Sequence, residues 1–187
     1  MNRTFLSLEV AETDKDRAYW TSRPWLTNAD AVRAADVLLV PWENFRENKS
    51  ALFPEGSGDL FRELSKALAD KRVAVAIDQS KYEEAALHAD ASRLATLFVT
   101  LLALPFVVNL LSAKVDRWLS DPTPPQTVEM EIIVEGDWGH CLSIKYKGPP
   151  SGMVEAISKQ AEKCLPRLSQ HGKRKAAKHK YPAKGGG

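Results

Sequence analysis

Three groups of residues have types and spacings that chemistry can use. Glu131 and Lys145, with Asp137 between them, supply the carboxylates and ammonium that metal-dependent nucleases employ. Such a site needs a second acid two positions before the lysine, and Ser143 stands there. Asp78 follows the apolar run 73–77, and ligands in α/β folds gather at the carboxyl ends of parallel strands. The ordinary role of a lone Asp at such a point is to form a turn or cap a helix. Gly56-Ser57-Gly58 precedes a helical pattern and could offer backbone N–H groups to an anion. It lacks the spacing of a phosphate loop and the lysine after the second glycine. A small enzyme with a site near Asp78 and this turn is one reading the sequence leaves open.

The other reactive residues assemble into nothing familiar. His88, His140, His171, His179, Cys141 and Cys164 have no metal-ligand spacing. His140 and Cys141 are neighbours on a predicted strand and so point to opposite faces. There is no Gly-x-Ser-x-Gly elbow, His-Glu-x-x-His or kinase signature. No catalytic residue, cofactor or metal is therefore expected, and a non-enzymatic role is the leading expectation. The five tryptophans read as core and rim packing rather than a stacking platform.

The elements that must position these residues read as α/β. Residues 4–10 alternate as a half-buried strand. A short helix is expected over 28–35. Val37-Leu38-Leu39-Val40, closed by Pro41, reads as a strand buried on both faces. A turn over 54–59 leads to a helix capped by Asp59, with Leu60, Phe61, Leu64, Ala67 and Leu68 as its apolar stripe. With a strand over 73–77 this makes a βαβ unit with parallel strands.

Towards the C-terminus, residues 127–135 and 140–147 both alternate. A three-residue loop, Asp137-Trp138-Gly139, sets a register in which paired residue numbers sum to 276. Val134 then faces Leu142, Ile132 faces Ile144 and Met130 faces Tyr146. On the other side Glu131 faces Lys145 and Glu129 faces Lys147, so Glu131 and Lys145 become a solvated cross-strand pair rather than a nuclease site. Pro149-Pro150 ends the strand. Ser151 opens an amphipathic helix with Met153, Val154, Ile157, Ala161, Cys164 and Leu165 on its apolar side.

A helical pattern is expected over 82–119, and within it residues 94–113 carry no charge. At 1.5 Å per residue those twenty positions span roughly 30 Å, the thickness of a bilayer's hydrocarbon core. Pro105 should kink the helix. Thirteen basic residues precede the segment and thirteen follow it, so charge gives no orientation. Two placements stay open. The helix packs in a core or against a partner, or it enters a membrane as a perturbing effector. Leu97, Phe98, Leu101, Leu102, Leu104, Phe106, Val107 and Leu110 are the contact residues in either case.

Composition bounds the rest. With 44% apolar and 27% charged residues among 187, the chain can form one core. A single α/β domain is expected over 1–166. Seven basic residues and no acid fall in 167–187, which reads as a disordered basic tail and leaves the body with 19 basic against 24 acidic residues. The tail could hold nucleic acid or anionic lipid nonspecifically. Met1-Asn2-Arg3-Thr4-Phe5 shows no secretory pattern and two cysteines make no disulfide scaffold. The expected location is the cytoplasm or the cytoplasmic face of the inner membrane.

The order from Phe61 to Leu165 also resembles a family. A helix and a strand are followed by an apolar helix closing on Arg117-Trp118-Leu119. Then come Val128-Glu129-Met130-Glu131-Ile132-Ile133-Val134, a turn with Gly139, a second strand and a last amphipathic helix. This layout is similar to the bacterial effector-associated constant components, small proteins encoded beside conflict-system effectors. The resemblance implies an adaptor role in antiviral defence, with a nearby-encoded protein or a second copy as partner. It carries over no functional residue.

Overall fold

The computed structural model of the chain describes residues 7–27, 29–46, 49–86, 91–136 and 141–162. In chain order the elements are β1 (Ser7–Thr13), α1 (Arg17–Thr21), α2 (Asp30–Ala34), β2 (Val37–Val40), β3 (Trp42–Arg46), β4 (Lys49–Pro54) and α3 (Ser57–Ala67). They continue with β5 (Val73–Val75), a 3-10 turn (Gln79–Lys81), β6 (Glu84–Ala85), β7 (Ala91–Arg93), β8 (Thr96–Thr100), α4 (Leu104–Leu119), β9 (Thr127–Glu135) and β10 (Cys141–Gly148). A last helix, α5, covers residues 150–162. The fold is α/β, as the sequence predicts.

Among the described residues the main sheet has seven strands in the order β1-β10-β9-β8-β2-β5, with β7 joined to β9 beside β8. Strands β2 and β5 are parallel, as are β8 and β9; β1–β10, β10–β9 and β8–β2 are antiparallel. A small sheet, β3-β4-β6, is not hydrogen-bonded to it but shares its core through Ala51 and Phe53. The expected βαβ unit is present, but β3 and β4 are inserted between its first strand and its helix. The β9–β10 pairing follows the expected register at every position named above. Its turn, including Gly139, lies outside the described residues, as does the basic tail.

Both faces of β2 are buried. One face of the sheet carries Val37, Leu39, Leu97, Val99, Ile132, Val134 and Ile144. It packs against Leu60, Leu64 and Leu68 of α3 and its C-cap, Val107, Leu111 and Val115 of α4, and Met153, Ile157 and Ala161 of α5. Each fully buried aliphatic side chain contributes about 1.5–3 kcal/mol. On the other face Leu38, Val40, Phe98, Ala76, Ile133 and Cys141 meet Trp20 of α1 and Val32 of α2.

The helix expected over 82–119 is not formed as one element. Residues 84–85, 91–93 and 96–100 are strands, and the helix begins only at Leu104. The β-branched and aromatic run Thr96-Leu97-Phe98-Val99-Thr100 is a strand covered on both faces, and such strands look as apolar as a membrane helix. Pro105 stands in the first turn of α4, where its fixed φ suits a helix start, instead of kinking one. The membrane-inserted helix over 94–113 is thereby overturned. Among the described residues no helix is long and apolar enough to cross a membrane.

Two charged side chains fasten the α1–α2 layer, Arg17 to the main sheet and Glu43 to the small one. Arg17 donates to Val32 O (2.8 Å), Arg33 O (3.1 Å) and Ala35 O (2.8 Å), filling the open carbonyls at the end of α2. It also forms a two-pronged ion pair with Glu135 at the end of β9. Glu43 of β3 receives Lys15 (2.7 Å), the Tyr19 hydroxyl (2.5 Å) and Arg23 (3.5 Å). Burial pushes the Glu43 pKa up, but the Lys15 and Tyr19 bonds and the neighbouring cations outweigh it, and the net shift is downward. Burial and the Glu43 carboxylate push Tyr19 up to about 12.

Candidate interaction surface

The residues expected to contact a partner or membrane divide sharply. Leu97, Phe98 and Val107 are fully enclosed by their own chain and Leu104 is 5% exposed. These four are core, because their strand and helix face inward. Leu101 and Leu110 are half-buried. Leu102, in the turn before α4, and Phe106, in its first turn, project into solvent at 79% and 47% exposure.

Asp78 acts as a clamp. Its carboxylate accepts the Thr27 N–H (3.0 Å) and hydroxyl (2.8 Å), while its own N–H donates to Trp25 O (3.2 Å). With Trp25 Nε1 donating to Ala76 O (3.1 Å), it fastens the loop before α2 to the end of β5. Asp78 is not among the residues lining the cleft beside Gly56 and Gly58. The two halves of the enzyme reading therefore do not share a cleft there.

The glycine turn does hold an anion, and the anion is the protein's own. Gly56 N–H (2.9 Å) and Gly58 N–H (2.7 Å) donate to the Glu84 carboxylate, which also accepts the Tyr82 hydroxyl (2.5 Å). Burial raises the Glu84 pKa, but the Tyr82 bond and then the two backbone N–H groups bring it below the ordinary value. Asp59 is not the cap: the helix starts at Ser57, the capping position is Gly56 at φ 82, and Asp59 pairs with Arg62. A left-handed residue is needed there, hence glycine.

Cys141 is buried and carries no nucleophile's environment. Burial, and then the charges of Glu135 and Asp16, push its thiol up to about 12, so it stays protonated at neutral pH. Among the described residues no group of three His, Cys, Asp or Glu side chains could hold a metal. All four histidines lie outside them.

Among the described residues no helix lies over half of the sheet's second face, where Glu9, Lys145 and Lys147 are exposed and Glu129, Glu131 and Arg93 half-buried. The α1–α2 layer covers its β2, β5 and β8 end, while β1, β10, β9 and β7 expose two cross-strand rows. Their registers align Glu9, Lys145 and Glu131 in one row and Ser7, Lys147, Glu129 and Arg93 in the other. Glu129 bridges Lys147 (2.5 Å) and Arg93 (2.8 Å), and Glu131 accepts the Ser143 hydroxyl (2.6 Å). Arg93 reaches this face through a one-residue slip. Arg93 faces Glu129, whereas Leu97 faces Ile132, so the strand changes register at Leu94–Ala95 and turns its side chains over. The Arg93 guanidinium lies 5.8 Å from the Trp42 ring centre.

These rows floor a cleft of about 420 Å³ walled by Trp42. A larger groove of about 880 Å³ runs beside it, lined by Gly56, Gly58, Arg62, Glu84, Lys114 and Trp118 among others. The two share Arg93 and Leu94, and so form one continuous surface. Both carry acids and bases in equal numbers, which suits neither a polyanion nor a lone metal. Sequence alternation pointed to Glu129, Glu131, Lys145 and Lys147. It missed Glu9, whose strand pairing was unforeseen, and Trp42 and Arg93, for which no local signal exists. Comparison with protein-family models, with curated proteins and with solved structures finds no match.

Proposed function

We propose that the chain is a non-enzymatic interaction module, an adaptor or regulatory component of a bacterial conflict or antiviral defence system. It docks a protein partner on the bare half of its sheet, not through a long apolar helix. The observation that carries this reading is the uncovered pair of charged rows beneath Trp42, continuous with the groove at the start of α3. An antiparallel stretch such as β9–β10–β1 can face water on one side, so it is the indole and the cleft beside the rows, not exposure alone, that mark this face. A bare half lined by Glu–Lys rows, an indole and no activated nucleophile fits recognition of a mixed-charge protein segment better than catalysis. The assignment to a defence system rests on the resemblance of the layout from α4 onward, a helix closing on Arg117-Trp118-Leu119 followed by β9, β10 and α5, since β6, β7 and β8 stand between β5 and α4.

Affinity capture with the products of neighbouring genes tests it. A stoichiometric partner should be held by the native chain and released by Trp42→Ala combined with Arg93→Glu. Equal capture by both chains, or no partner at all, would contradict the reading. Leu102 and Phe106 favour a secondary contact, with an apolar spot on that partner or the rim of a membrane. Vesicle sedimentation that is unchanged by Leu102→Ser with Phe106→Ser excludes the membrane.

A further inference from the structure

The two ends of the main sheet are unequally protected. β5 closes one end with three residues, too short to template another strand. β1 closes the other with seven, paired to β10 without a register shift, free of proline and exposed or half-exposed at every position. Among the described residues no element lies along its outer edge. Val10, at its midpoint, is 39% exposed. A regular strand of this length with an open row of backbone groups is a site for strand addition.

We infer that β1 pairs with β1 of a second copy, antiparallel and about a two-fold axis at Val10. The strand's own residues select this arrangement. Centring on Val10 is the one register that engages all seven residues from Ser7 to Thr13. It sets Val10 against its counterpart, Leu8 against Glu12, Glu9 against Ala11 and Ser7 against Thr13. Centring on Glu9 or Glu12 would oppose like charges, which is destabilising. Within its own sheet each Glu9 already lies beside Lys145 of β10, which offsets its charge at the junction. The result is one continuous sheet through two molecules, with both bare faces on the same side, since an axis perpendicular to the sheet preserves faces. The two partner surfaces proposed above would then form one double-length platform. The pairing itself does not depend on that functional reading.

Light scattering coupled to size-exclusion chromatography, over a concentration series of the full chain, tests this. The native chain should pass from monomer to dimer. Val10→Lys, which opposes two ammonium groups at the axis, should weaken dimerisation by about tenfold or more with an unchanged circular dichroism spectrum. In a chain also carrying Cys164→Ser, Val10→Cys should form a disulfide between the two introduced thiols on mild oxidation, identified by peptide mass. A native chain that stays monomeric throughout overturns the proposal. So does a dimer that Val10→Lys leaves intact and Val10→Cys fails to link, because its interface would lie elsewhere.

Discussion

One face of one sheet is built in two ways. At the β2–β8 end its outward residues are Leu38, Val40 and Phe98, fully enclosed under a layer of two short helices. At the β9–β10–β1 end, beyond Ile133 and Cys141, they are Glu9, Glu129, Glu131, Lys145 and Lys147, and among the described residues no helix or strand lies above them, with Trp42 at the side. The boundary is Arg17, which reaches from α1 to Glu135 and holds the layer at the line where apolar residues stop. The covered half is where substitutions should cost stability. The bare half should tolerate them and lose binding instead.

That contrast can be broken most directly at Phe98. Phe98→Ala empties the centre of the covered half and should lower unfolding free energy by about 3–5 kcal/mol in urea titration. Arg17→Ala comes next, since it strips three carbonyls at the end of α2 and strands Glu135; a loss of about 2–3 kcal/mol is expected by the same method. In the bare half, Lys147→Glu places a like charge against Glu129 and should cost about 1 kcal/mol or less. A loss there comparable to that at Phe98 would mean the rows are structural.

The Glu43 hub sharpens the comparison through pH. Its folded pKa lies below the ordinary 4.5, so its contribution is present above that value and drains away as pH falls through the folded one. Tyr19 acts in the opposite sense. Its pKa is raised from 10 to about 12, so its contribution is whole below pH 10 and is lost as pH climbs towards 12. Glu43→Gln should flatten the acid arm of stability against pH and weaken the alkaline one. Smallest of all is Gly58→Ala: a Cβ there would lie 3.1 Å from Glu84 Oε1, and a shift of a few tenths of an ångström relieves it. A loss of a few tenths of a kcal/mol is expected, against about 1–2 for Gly56→Ala at its left-handed φ.

How much of this could be read beforehand depended on where each signal lay. The β9–β10 register was legible because alternation and charge pairing both sit in one hairpin. The segment over 94–113 was misread because a doubly buried strand followed by an apolar helix has the same composition as one long helix. Thr96, Val99 and Thr100 favour a strand, and Pro105 marks a helix start as readily as a kink. The Gly56 turn shows in sequence only that its N–H groups are free to meet an anion; the carboxylate they do meet, Glu84, lies 26 residues beyond Gly58, where no local pattern points to it. Arg93's direction hangs on a single-residue slip, and Trp42's place on a hairpin seated by tertiary contacts to Glu43.

The most direct test is one double variant, Lys145→Glu with Lys147→Glu, measured for both unfolding free energy and capture of the native partner. The expected result is a loss of stability of about 2 kcal/mol or less, about 1 for each reversed row and smaller than that at Phe98, together with loss of capture. Full capture by a normally folded variant would contradict the assignment of the bare sheet half as the binding surface.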